Sequence, residues 1–139
     1  MSNRLHEELD IICVKAPASI ATATATKSDY VDGSGRDEID FLWSMANLAS
    51  GKTMTIKVYA ADDDSGTNAA VVATGTVTAG ADAIAKATGC ASVKVAGDGK
   101  RFYCAEITHD SGSGVICSCV AIARPFYVPA TEPALVVSV

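Results

Sequence analysis

An all-β, antiparallel β-sandwich of jelly-roll-like type is the fold this sequence predicts, and three observations carry the prediction. Apolar and polar residues alternate at period two over several stretches, which is the period of a strand with one dry face. Clusters rich in Gly and Asp separate those stretches, as turns do. Only one short Ala-rich segment has noticeable helix propensity. The 139 residues are 49% hydrophobic and 19% charged, so the chain is too apolar and too weakly charged to stay disordered. That length suits one core and is short for a cofactor domain plus a substrate domain.

The elements follow in order. Leu9–Lys15 reads as a first strand or arm, stopped by Pro17, which has no ladder donor. Ile20–Thr26 alternates Ala and Thr and predicts a strand, and Lys27–Arg36 predicts a loop of turn formers. The clearest strand starts at Asp37, with Ile39, Phe41, Trp43 and Met45 in one phase and Glu38, Asp40 and Ser44 in the other. Ser50-Gly51 turns it into Lys52–Ala61, where Met54, Ile56 and Val58 share a face, so the two strands are expected to pair as a hairpin. Asp62–Gly66 is a polar loop before a strand over Ala69–Thr78, in which Gly75 marks a bulge. Ala79–Gly89 predicts at most a turn or two of helix ahead of the strand Cys90–Val95.

Gly97-Asp98-Gly99 is the strongest tight-turn signal and is expected to join that strand to Arg101–Thr108 as a second hairpin. Gly112-Ser113-Gly114 leads into a last strand, Val115–Ala123. The result is about eight strands in a single sandwich domain over residues 1–139. Residues 1–19 form an N-terminal arm or edge strand, 20–125 the sandwich and 126–139 a C-terminal arm. Ile39, Phe41, Trp43, Met54, Ile56, Val58, Val93, Val95 and Ile107 are the expected core. Burying each such side chain contributes about 1.5–3 kcal/mol before conformational entropy is set against it.

Composition narrows function. Sixteen acidic against eleven basic residues give a net charge of -5, which opposes binding to nucleic acid and gives no drive toward an anionic membrane. No apolar run is long enough to span a bilayer, and Met1–Asp10 is polar and acidic where a signal peptide needs a basic start, so synthesis in the cytosol is expected. Cys13, Cys90, Cys104, Cys117 and Cys119 are odd in number and lie in apolar stretches, which predicts reduced core thiols. Cys117-x-Cys119 has no second pair near it, so no zinc site is expected.

The chemistry-bearing residues point to no reaction. His109, beside Asp110 and Ser111, is expected to be a solvated hairpin residue, and His6 lies in the N-terminal segment. Asp62-Asp63-Asp64 lacks the alternate spacing and terminal glutamate of a calcium loop and reads as a solvated turn. Gly51-Lys52-Thr53 is not a phosphate loop, because Ala46 stands where the first glycine belongs and a strand follows. Gly33-Ser34-Gly35-Arg36 reads as a turn rather than an anion nest. No enzyme activity, cofactor or metal is expected.

What remains is surface and arms. Pro125, Pro129 and Pro133 break the C-terminal stretch, so Phe126, Tyr127, Val128, Leu135, Val136 and Val137 cannot join the middle of a sheet. Either they fold back along the sandwich or they reach a neighbouring chain by strand addition or apolar docking. These six, with Arg124 at the rim, are the candidate interaction residues.

Asp37-Glu38-Ile39-Asp40-Phe41-Leu42, then Lys52–Asp63, Val93–Tyr103 and the closing Ala121-Ile122-Ala123-Arg124-Pro125 together resemble the capsid decoration, or cement, proteins of tailed bacteriophages. The resemblance covers residues about 37 to 125 and rests on turn and strand patterns. It implies a jelly-roll-like sandwich on the outer capsid surface of a virion, bridging neighbouring major capsid protein subunits. It also implies a homo-oligomer, with a dimer favoured over a trimer, assembled in the host cytoplasm. The competing class is a ligand- or carbohydrate-binding module of a phage tail or cell surface, whose mark would be an aromatic strip on one face.

Overall fold

The computed structural model describes residues 5–95, 99–112 and 114–126. A single helical turn, α1 (Leu5–Glu8), precedes nine strands: β1 (Asp10–Ile20), β2 (Thr26–Lys27), β3 (Val31–Asp32), β4 (Arg36–Met45), β5 (Thr53–Ala61), β6 (Ala70–Thr78), β7 (Ala87–Lys94), β8 (Phe102–His109) and β9 (Val115–Pro125). They form two antiparallel sheets packed as a β-sandwich. One sheet runs β1-β9-β4-β7; the other runs β2-β8-β5-β6, with β3 also on β8. Taking β2 and β3 as two pieces of one broken strand, this is the eight-strand order of a jelly roll.

Successive strands therefore mostly change sheet. Both expected hairpins are corrected on this point: β4 and β5 lie in opposite sheets, as do β7 and β8, and Gly97-Asp98 falls outside the described residues. The consecutive strands that do pair are β5 and β6, Thr53 opposite Thr78 through Ala60 opposite Ala70. Period-two patterning gives each strand a dry face but does not say whether two dry faces lie side by side or meet across the core. Here they meet. Ile39, Phe41 and Trp43 on β4, Met54, Ile56 and Val58 on β5 and Ile107 on β8 are all buried, while Val93 and Val95 pack partly buried at the margin. Leu48, in the crossing between β4 and β5, is buried and bridges Ile84.

Four further expectations change. β1 continues through Pro17 to Ile20, because register shifts between Cys13 and Lys15 and between Lys15 and Ala18 take Pro17 out of the ladder on this edge strand. The Ala/Thr stretch is largely a turn: Ala23 has φ 59°, Thr24 N donates to Ala21 O, and the Thr22 hydroxyl bonds the Ser111 and Gly112 carbonyls. Threonine hydroxyls that find main-chain partners compete with the ladder. Ala79–Gly89 holds no helix among the described residues; Ile84 bonds Leu48 in both directions and β7 begins at Ala87. The bulge in β6 lies between the Ala73 and Val71 pairings, while Gly75 stays in register opposite Ile56.

Candidate interaction surface

On β9 and β4 the residues between the buried ones point away from the core, and the pairing registers arrange them in rows across the first sheet. Ile11, Ile122, Asp40 and Ser92 form one row, and Cys13, Val120, Leu42 and Cys90 the next. Ser118, Ser44 and Thr88 follow, with the two serine hydroxyls 2.8 Å apart. The outer face thus carries a part-exposed aliphatic band of Ile11, Ile122, Val120 and Leu42, flanked by the exposed Cys13 and Cys90. Beyond the band, Arg124, Glu38 and Lys94 make a charged row at one end, and Ile116, 55% exposed, lies toward the other.

Of the seven predicted interaction residues, the structure describes two. Arg124 is exposed on β9 in that charged row. Phe126 is 64% exposed, its amide bonded to the Gly35 carbonyl at the turn between β3 and β4. Tyr127, Val128, Leu135, Val136 and Val137 lie outside the described residues. The aliphatic band was missed, although a signal existed. Leu42 occupies the polar phase of its strand, among Glu38, Asp40 and Ser44, and Val120 and Ile122 likewise lie out of phase with the buried residues of β9.

Several titratable residues are tied into the framework. His109 is 1% exposed rather than solvated, because β8 ends against the other sheet and its Nε2 bonds the Ile20 carbonyl at 2.9 Å. Arg36 holds the buried Asp10 at 2.9 Å, joining β4 to β1, and Arg101 grips Asp32 through two nitrogens at 2.8 and 2.6 Å. The Arg101 guanidinium keeps the Asp32 carboxyl below the usual carboxylate range. Asp62 accepts from Lys100 and Asn68, and Asp63 gathers donors from Ser65 and Thr67, so their oxygens serve the β5–β6 loop. Burial pushes the Cys117 thiol up to about 11 and the Cys119 thiol up to about 12. Those two behave as small hydrophobes rather than nucleophiles at neutral pH.

The two sheets do not close over each other everywhere. Between the edge strands β6 and β7 lies a cleft of about 320 Å³. Met54 and Ile56 line it from the core, Gly75 and Gly89 stand on its two walls, and Thr74, Thr76, Thr88 and Ser92 are also among its lining residues. Every residue of β6 except Ala73 is exposed.

No protein-family model and no curated protein matches this chain. Solved structures do. The PBSX exported protein XepA superposes with a TM-score of 0.56 at 15% identity, over 99% of this chain and 42% of its own. A structure of infectious bursal disease virus, Gx strain, gives 0.55 at 13% identity over 94% and 35%. The SPBc2 prophage-derived protein YomS gives 0.46 at 12% identity over 84% and 92%. At these identities the likeness is one of fold, and this chain spans less than half the length of the first two. Among the described residues no helix is long and apolar enough to cross a membrane.

Proposed function

We propose that this chain is a structural virion protein that binds the outer surface of a phage head and cements neighbouring major capsid protein subunits against internal pressure. The observation that carries the reading is the aliphatic band of Ile11, Leu42, Val120 and Ile122 on the outer face of the first sheet, with the C-terminal arm leaving beside it at Phe126. A broad, nearly flat apolar strip rimmed by Arg124, Glu38 and Lys94 suits contact with another protein surface better than capture of a small molecule. The jelly-roll topology is compatible with such a role but does not decide it. Each copy touches two or more lattice subunits, so several weak contacts act together at high effective concentration and no reaction is required of it.

The band also separates this reading from the carbohydrate-binding alternative. Its members are aliphatic, and the rows around them hold Cys, Ser, Thr, Asp and charged residues in place of an aromatic strip. The test is decoration of purified heads. A chain ending at Pro125 is expected to fold and to leave heads bare, and Leu42→Glu at the centre of the band is expected to weaken occupancy about tenfold or more. Unchanged occupancy by both variants overturns the proposal, and selective binding on a glycan array favours the alternative.

A further inference from the structure

The β6–β7 cleft has the features of a strand acceptor. β7 pairs with β4 alone and β6 with β5 alone among the described residues, so each presents one main-chain edge to the opening. Its floor is the core itself, at Met54 and Ile56. Its walls are narrowed to backbone at two points. A Cβ added at Gly75 would meet nothing within 4 Å, whereas one at Gly89 would come within 2.4 Å of the Ile56 Cδ1. Exposed edges of this kind invite pairing with another extended segment unless something covers them.

The chain carries a segment suited to cover them. Residues 127–139 follow the last described residue, and Pro133-Ala134-Leu135-Val136-Val137-Ser138-Val139 places Leu135, Val137 and Val139 in one phase of a strand. β9, from which the arm leaves, is separated from β7 by β4, and a tail that reaches the cleft of a neighbouring copy makes a head-to-tail contact. Pro125, Pro129 and Pro133 recur every fourth residue, a sequence spacing that disfavours helix.

We infer that the β6–β7 cleft of one copy accepts residues 133–139 of a neighbouring copy as an added strand, with Leu135, Val137 and Val139 packing onto Met54 and Ile56. The inference shares with the proposed function only the arm as an inter-chain contact, and its test uses no capsid. The exposed Cys90 lines the cleft and serves as the reporter in a Cys13→Ser background. Four chains are compared: full length, truncated after Glu132, and each of these with Gly75→Leu, a substitution whose Cβ enters open space at the cleft.

The full chain is expected to sediment as a concentration-dependent oligomer, and the three variants as monomers. Maleimide labelling of Cys90 in the oligomer should run at least about tenfold slower than in the truncated chain. A synthetic peptide of residues 133–139 should bind the truncated chain and fail to bind the truncated chain carrying Gly75→Leu. Thermal unfolding establishes that each variant is folded. Three outcomes overturn the inference: an oligomer that survives truncation, Cys90 labelled equally fast with and without the tail, or a protected Cys90 in a chain that stays monomeric at every concentration. The last places the tail in its own cleft. Unchanged head occupancy by the chain ending at Pro125 and by Leu42→Glu, with the oligomer behaving as expected, would instead count against the proposed function alone.

Discussion

Along the side where β1 meets β2, bonds cross from one sheet to the other: Asp29 N donates to Val14 O at 2.8 Å, Ala23 N to His109 O at 2.7 Å, and the His109 ring bonds Ile20 O at 2.9 Å. Ser28 adds a hydroxyl that accepts from the Ala105 amide at 3.1 Å. Along the opposite side, β6 and β7 flank a cleft through which Met54 and Ile56 can be reached. Both sides belong to one sandwich with one core. The first is closed by side chains and turns of its own chain, while among the described residues the second leaves the outer main-chain edges of β6 and β7 without a strand partner. A jelly roll that needed only to be stable would cover both edges. On the inference above, the open side is where the tail of a neighbouring copy docks.

Substitutions on the two sides should therefore differ in kind. The largest effect belongs to the closed side. Arg36→Met removes the guanidinium beside Asp10, which is 4% exposed, and should cost about 3 kcal/mol in urea unfolding. A loss under about 0.5 kcal/mol would show that the pair does little to hold β1.

The two cleft glycines sharpen the contrast next. Gly89→Val brings a Cβ within 2.4 Å of the Ile56 Cδ1, so the end of that side chain must move, and should destabilise by about 1 kcal/mol. Gly75→Val enters open space on an edge strand and should leave stability unchanged or raise it by about 0.5 kcal/mol. Equal losses at both positions would mean that the cleft is closed in solution. Back on the closed side, Ser28→Ala takes away the acceptor of the Ala105 amide and should cost about 1 kcal/mol by the same unfolding measurement.

The smallest effect is electrostatic. The Asp32 carboxyl is held below its ordinary range by Arg101 when folded, so the pair contributes in full above the unfolded value of about 4 and is lost as pH falls through the lower folded value. Exposure keeps that contribution under about 1 kcal/mol. Asp32→Asn should flatten the fall in melting temperature between about pH 5 and pH 2, and an unchanged slope would remove the pair from the account.

The strands and their dry faces were legible in the sequence, because Ile39, Phe41 and Trp43 or Met54, Ile56 and Val58 at period two leave little choice of face. Pairing was not. Nothing in Ser50-Gly51 distinguishes a hairpin from a crossing between sheets, and the decisive residue, Leu48, is one buried side chain in a loop. The Ala/Thr alternation misled for a related reason: small side chains bury too little surface to fix a strand against the main-chain bonds open to Thr22. The exposed band announced itself through aliphatic residues in the wrong phase, Leu42 above all. The cleft could not be read, since it depends on Gly75 and Gly89 lying on different sheets yet on facing walls.

The decisive measurement is a reconstruction of the native phage head with this chain located and counted. Density for the sandwich is expected on the outer capsid surface, its Leu42–Val120 face turned toward the shell and bridging adjacent major capsid subunits, at a copy number set by the lattice. The chain found in the tail, or heads of full stability that lack it, would rule out a cementing role.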